Sequence, residues 1–159
     1  MTKQEYNFQQ LEIEGKAAEK MFQEYLEKEG WRCRKTKAKD PNEPYDYQIN
    51  HKTTGHWRTI EIKSYGKPEY GTIFAETVQV SPKQRIESTP EYLSHPEKID
   101  YMIYVDQKGK RAFKYDMKKF AKFVEANQGI AGWNGTYTAK GIVISEKHNM
   151  IGYLETIDL

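Results

Sequence analysis

Apolar residues recur at three- and four-residue steps through Phe8, Leu11, Gly15, Ala18, Phe22 and Tyr25. That spacing lines one face of an α-helix and predicts a helix from about Phe8 to Glu29, stopped by Gly30. Beyond Gly30 the period shortens. Trp31 to Lys35 predicts a short strand. Asp40, Pro41, Asn42, Glu43 and Pro44 predict a loop, and Tyr45 to Asn50 and Trp57 to Ser64 predict two paired strands. A loop is expected from Tyr65 to Gly71. Ile73 to Val80 is ambiguous, with strand favoured over its second half. Ser81-Pro82 reads as a capped helix start, opening a broken helical region to about Pro96.

The nearly continuous apolar run Ile99 to Val105 predicts a central buried strand. Arg111 to Tyr115 is expected to pair with it across Gln107-Lys108-Gly109, and Asp116 to cap a helix from about Met117 to Asn127. Gly141 to Ser145 and Tyr153 to Ile157 are expected to form a hairpin about His148-Asn149. Helix, strands, helix, strands in that order predicts an α/β fold with one mixed sheet flanked by helices.

Alternation within the first strand pair separates two kinds of chemistry. Tyr45, Tyr47 and Ile49 share one face; Asp46, Gln48 and Asn50 share the other. Ile60 and Ile62 oppose Glu61 and Lys63 in the same way. Pairing the strands with their apolar faces together brings Asp46, Glu61 and Lys63 out on one side of the sheet. Two converging carboxylates make a hard oxygen site suited to magnesium, which takes one or two carboxylates and fills its shell with water and phosphate. A lysine two residues on adds a charge able to orient or deprotonate water or to stabilise a phosphate. The chemistry implied is metal-assisted phosphodiester hydrolysis. A plain amphipathic hairpin with one wet face carries the same residue types. The same Glu-x-Lys triplet also occurs at Glu14-Gly15-Lys16, inside the predicted helix, where the spacing keeps the side chains apart. A charged face on a sheet covered by helices needs a reason, however, and the first helix offers a further acid. Glu19 falls about 20° from Leu26, at the edge of the apolar stripe. Glu12 lies slightly further out on that edge, and Glu14 lies near the opposite one.

The chain has 159 residues, enough for a single domain with a real core, and 37% hydrophobic against 30% charged residues is a globular balance. A formal net charge of +2 does not by itself argue for nucleic acid, so distribution matters more. Arg32, Arg34, Lys35, Lys37 and Lys39 form a basic cluster beside the strand pair, read either as a solvated surface or as a phosphate contact. Cys33 is the only cysteine, which forbids an internal disulfide and fits a reducing cytosol. Four scattered histidines show no zinc spacing. The opening MTKQEYNFQQ lacks the apolar core of a signal peptide and no apolar run reaches membrane-span length, so a soluble cytoplasmic protein is expected.

Four segments in order resemble the PD-(D/E)XK nuclease superfamily. EGKAAEKMFQEYLEKEGWRCRK resembles its first helix and strand. PYDYQI resembles the aspartate strand, RTIEIKS the Glu-x-Lys strand, and VQVSPKQ the strand and helix start that follow. The likeness is strongest to small archaeal Holliday-junction resolvases and phage nucleases. It spans about Leu11 to Val105 within one domain covering residues 1–159. The nominal Pro-Asp pair appears here as Pro44-Tyr45-Asp46, and Glu61 follows Asp46 by fifteen positions.

The resemblance implies a restriction-endonuclease-like fold and a Mg2+-dependent DNA endonuclease, with Mn2+ as a substitute. Asp46 and Glu61 would be metal ligands, Lys63 the catalytic lysine, and Glu19 a helix acid binding metal directly or through water. DNA is the expected partner and a homodimer the expected assembly, in a prokaryotic or phage-infected cell. Lys83 and Gln84 at the expected helix start, and Arg34, Lys35 and Lys37, are candidates for phosphate contact. Glu76 is a lower-ranked acid. Tyr65, Tyr70 and Trp133 are candidates for base stacking. Two other functions use the same fold: a nucleic-acid-binding module that does not cut, and a protein-interaction domain.

Overall fold

The computed structural model describes residues 3–64, 72–81, 84, 86–133, 139–145 and 151–159. Helix α1 (Lys3–Lys28) presents Ala18, Phe22 and Leu26, four residues apart and buried, to the sheet beneath it. The chain leaves α1 through Gly30, whose φ of 91° is open to glycine at little cost. Strands β1 (Trp31–Lys35), β2 (Tyr47–His51) and β3 (Trp57–Ser64) then form an antiparallel meander.

Strand β4 (Thr72–Val80) and the short β5 (Glu87–Ser88) lie in a different sheet. Helix α2 (Glu91–Ser94) is a single turn between Pro90 and Pro96. Strand β6 (Tyr101–Asp106) returns to run parallel to β3, and β7 (Arg111–Asp116) folds back on β6. Helix α3 (Met117–Ala126), β8 (Gly132–Trp133), β9 (Ala139–Ser145) and β10 (Tyr153–Asp158) complete the chain.

The main sheet has the order β1-β2-β3-β6-β7-β10, and the second β5-β4-β9-β8. Ile49, Ile60, Ile62, Ile103 and Val105 face α1 and form one core layer with it. Met102, Tyr104, Phe113 and Tyr115 face the other way. They pack with Phe120 and Val124 of α3, Tyr92 of α2, and Ile73, Ala75, Ile142 and Ile144 of the second sheet. The α/β class, the mixed sheet and the single domain agree with the sequence-based expectation.

Four details differ from it. The stripe of α1 is covered only from Ala18 onward, because Leu11 is 40% exposed and Ile13 more so. Ile73 to Val80 is strand throughout. No helix begins at Ser81 among the described residues. Ser81 Oγ does accept a bond from the Gln84 amide at 3.3 Å, but Ser81 N–H bonds Ile86 O, which closes a hairpin into β5. The expected hairpin of Gly141–Ser145 with Tyr153–Ile157 is replaced by two separate pairings: β9 with β4, and β10 with β7. The fold therefore has two sheets, where alternation alone predicted one. The residues proposed for the turn, His148 and Asn149, lie outside the described residues.

No helix among the described residues is long and apolar enough to cross a membrane.

Candidate active site

The pairing of β2 with β3 fixes the register that alternation leaves open. Tyr47 stands opposite Ile60, so Asp46, just before β2, comes level with Glu61. Two main-chain bonds lock it there. The Asp46 amide donates to Ile60 O at 3.0 Å, and the Ile62 amide donates to Asp46 Oδ2 at 2.6 Å. Tyr47, Ile60 and Ile62 point into the α1 core, which forces Glu61 and Lys63 to the opposite face. Asp46 is 7% exposed and Glu61 2%.

Lys39 joins these acids, although sequence reasoning counted it only among surface basic residues. Its Nζ lies 2.9 Å from Asp46 Oδ1 and also contacts Glu61 Oε1. It reaches them from residues 36–46, the connection between β1 and β2. That connection is shaped by the Asp40 side chain, whose Oδ1 accepts the Asn42 amide at 2.7 Å and the Glu43 amide at 2.9 Å. A Thr36 amide bond to Asp46 O at 2.9 Å ties its two ends together. The only sequence signal for Lys39 was its place just before Asp40-Pro41, at the turn.

Lys63 Nζ stands 3.9 Å from Glu61 Oε1 and 5.9 Å from the centroid of the Tyr92 ring. Burial works against its charge, but Glu76, Glu61, Asp46 and Glu19 outweigh burial and raise its pKa. Lys63 is thus held as a cation in the metal-free protein. Glu76 lies on β4, and its carboxylate accepts a bond from Gln79 at 3.0 Å. Its charge is the strongest of those favouring the Lys63 cation.

Two carboxylates this close and this dry cannot both ionise freely. Burial first, and then the Asp46 charge, push Glu61 up to about 8. Asp46 is also penalised by burial, but the Lys39 ammonium and the Ile62 amide bring it below the usual carboxylate range. The proton is therefore held more tightly on Glu61 than on Asp46.

Glu19 approaches from α1, on the side of Asp46. Its side chain is 19% exposed and pairs with Lys35 at 3.3 Å. Burial and the charge of Asp46 raise its pKa. Gln23, one turn later, accepts a bond from Tyr47 Oη at 3.0 Å and anchors the same stretch of α1 to β2. Glu12 and Glu14 are exposed. Glu12 pairs with Lys16 at 3.7 Å, within the helix.

The structure therefore brings together Asp46, Glu61, Lys63 and Glu19, with Lys39 and Glu76 added. Among the remaining described candidates only Lys35 pairs with one of these acids, Glu19. Arg34 lies over the Trp57 ring at 4.8 Å and donates to Gln48 at 3.2 Å on the exposed face of β1 and β2. Lys35 is engaged with Glu19, while Lys37 and Gln84 are exposed. Trp133 is exposed beneath Lys140, which stacks on it at 4.7 Å. Lys83, Tyr65 and Tyr70 lie outside the described residues.

Among the described residues no three acidic, histidine or cysteine side chains already converge as a metal cage. The donor set nevertheless fits a magnesium ion, which needs only one or two carboxylates. Asp46 and Glu61 already share a cation, the Lys39 ammonium. Among the described residues Glu61 Oε2 is buried with no hydrogen-bond partner, which leaves acceptor capacity for another.

No family model and no curated protein matches the chain. Among solved structures it is similar to the bacterial homing endonuclease I-Ssp6803I. The TM-score is 0.54 and the identity 13%, covering 81% of this chain and 87% of that one. A likeness at that identity shows the fold: the acids of β2 and β3 sit in a mixed α/β domain of the form a homing endonuclease adopts.

Proposed function

We propose that this protein is a divalent-metal-dependent DNA endonuclease of the PD-(D/E)XK type. The observation that carries the proposal is the buried Asp46–Glu61 pair, held level by the β2–β3 pairing, sharing a cation and leaving Glu61 Oε2 without a hydrogen-bond partner among the described residues. A fold similar to a homing endonuclease supports it. Asp46 and Glu61 would hold Mg2+, or Mn2+ in its place, and Glu19, whose carboxyl feels the charge of Asp46, would act through water. When bound, the metal supplies Lewis-acid polarisation of a phosphate oxygen and a water of lowered pKa.

The chain's own part follows from the geometry. Lys63, held cationic, faces the acids and can neutralise charge developing on a phosphate. As a cation it is suited to stabilising charge or donating a proton, and unsuited to removing one from water. Tyr92 and Tyr104 wall the Lys63 side of the site, with their hydroxyls bonded to main-chain oxygens of β4. Arg34 and Lys37 would meet backbone phosphates, and a homodimer would supply a second cut.

The test is incubation of supercoiled plasmid, linear duplex, single strand and a four-way junction with Mg2+, Mn2+ and Ca2+. Cleavage is expected with Mg2+ and Mn2+, and little with Ca2+, whose looser shell positions water poorly. Asp46→Asn and Glu61→Gln should abolish cutting and leave the fold intact. Undiminished cutting by either variant removes the assignment. Tight binding with no cutting in any metal would instead make the chain a non-catalytic nucleic-acid-binding module.

A further inference from the structure

Lys39 occupies the position that the proposed function gives to a metal. Its ammonium lies against one oxygen of each acid, Asp46 Oδ1 and Glu61 Oε1, and so bridges the pair as a divalent cation would. It approaches from the solvent side: the two carboxylates are buried, whereas the Lys39 side chain is 34% exposed. Its fit is incomplete, because Glu61 Oε2 remains buried without a hydrogen-bond partner among the described residues. A single ammonium touching two of the four oxygens, with Asp46 Oδ2 taken by the Ile62 amide, satisfies the pair less well than a cation with several coordination positions.

Lys63 is not equivalent. It stands 3.9 Å from Glu61, over the Tyr92 ring, and follows Glu61 on the same rigid strand. Lys39 stands on an exposed connection, and four side-chain torsions suffice to lift its ammonium from the acids without disturbing any strand pairing. The Asp40 turn and the bond from the Lys98 ammonium to Pro41 O hold the backbone beneath it in either position.

We propose that Lys39 is a built-in counter-cation: it closes the Asp46–Glu61 pair in the metal-free protein and swings off it when a divalent cation binds, so that the two are mutually exclusive. The inference rests on the reading of that pair as a metal site. Its consequence is a protein that folds around two buried acids without metal and whose apparent metal affinity is reduced by the fraction of molecules in which Lys39 is seated.

Two measurements on the full chain test it. In the first, the amines of the wild-type protein are acylated in EDTA and in saturating Mn2+, and modification of Lys39 is followed by mass spectrometry. Labelling of Lys39 should rise several-fold with Mn2+, and the rise should vanish in Asp46→Asn. In the second, the Mn2+ dissociation constant is measured by electron paramagnetic resonance for the wild type and for Lys39→Met. The variant should bind about tenfold tighter or better. In EDTA it should melt below the wild type, because the acids have lost their counter-ion. If the wild type binds Mn2+ through Asp46 while Lys39 labelling stays flat, or Lys39→Met binds no tighter, the proposal is overturned and the metal site stands. If neither protein binds Mn2+, both fall together. Should Lys39→Met fail to fold, the labelling of the wild type still decides.

Discussion

Glu61 is the residue on which the site's electrostatics turn. Its carboxyl rises from the ordinary 4.5 to about 8 in the folded chain, through burial and then the charge of Asp46. A carboxyl raised in this way contributes stability that is fully present below its unfolded value and is lost as pH climbs through the folded one. Metal-free wild type should therefore lose stability relative to Glu61→Gln between about pH 4.5 and pH 8. Melting temperatures of both proteins in EDTA across that window test it, and a constant difference would remove the raised Glu61 carboxyl. Lys63 makes the opposite case, a cation held charged by four acids. Lys63→Ala should slow cleavage by orders of magnitude with a far smaller loss of DNA affinity, since its charge acts on the transition state. Equal losses in both would make it a phosphate clamp. Asp46, Glu61 and Lys63 were legible in the sequence because a strand's period of two assigns faces without knowledge of the partner. Lys39 was not legible. It belongs to an irregular connection, where position is set by the Asp40 turn and by the register of β2 on β3, and periodicity reports neither.

At the scale of elements, α1 divides in two. From Ala18 to Leu26 it is packed on the main sheet, chiefly against β1 and β3; before that, Leu11 and Ile13 lie exposed. Glu19 falls in the packed half, beside Asp46, and Glu12 and Glu14 in the exposed half. Glu19→Ala should severely reduce metal-dependent cleavage, whereas Glu12→Ala and Glu14→Ala should cost little activity or stability. Cleavage rate against Mg2+ concentration for the three variants is the measurement. A dead Glu12→Ala beside an active Glu19→Ala would show that the wrong acid has been chosen. Most of the longer elements were legible, including the Asp116 cap, whose Oδ1 accepts the Lys119 amide at 3.0 Å, but not the short β5 and β8 or the strand ending at Val80 that replaces a helix start at Ser81. The second sheet was not, because alternation identifies a strand and its faces but not its partner. Gly141 is one reason β9 reaches β4 so closely: a Cβ there would lie 2.3 Å from Ala75 O. Gly141→Ala should destabilise the protein by about 1–3 kcal/mol through overpacking, read from denaturant unfolding. A neutral effect would show that the two strands can part without cost.

For the molecule as a whole, charge is nearly balanced: 25 basic against 23 acidic side chains. Long-range attraction to a polyanion is therefore small, and any path for DNA must be set by local clusters. Two of the acids that would hold metal are buried, so the field near their opening is governed by the cations around them, Lys39 and Lys63. The outer strand β1 continues this basic character with Arg32 and Arg34, and Lys37 follows in the connection leading to Asp46. Its neighbours fit a wet nucleic-acid surface. Gln48 bonds Arg34, and the exposed Trp57 ring carries the Arg34 guanidinium on its face. Lys35 is different, because its ammonium is committed to Glu19. If DNA runs along β1 toward the acids, Arg34 and Lys37 neutralise phosphates and Lys35 serves the site instead. Binding is best measured in Ca2+, where cutting is expected to be slight, as log Kd against log salt concentration. Each phosphate contact removed should lower the slope by about 0.9, so Arg34→Ala with Lys37→Ala should lower it by about 1.8. Lys35→Ala should leave the slope nearly unchanged. A double variant with the wild-type slope would exclude this edge and send the DNA across another face of the same acids.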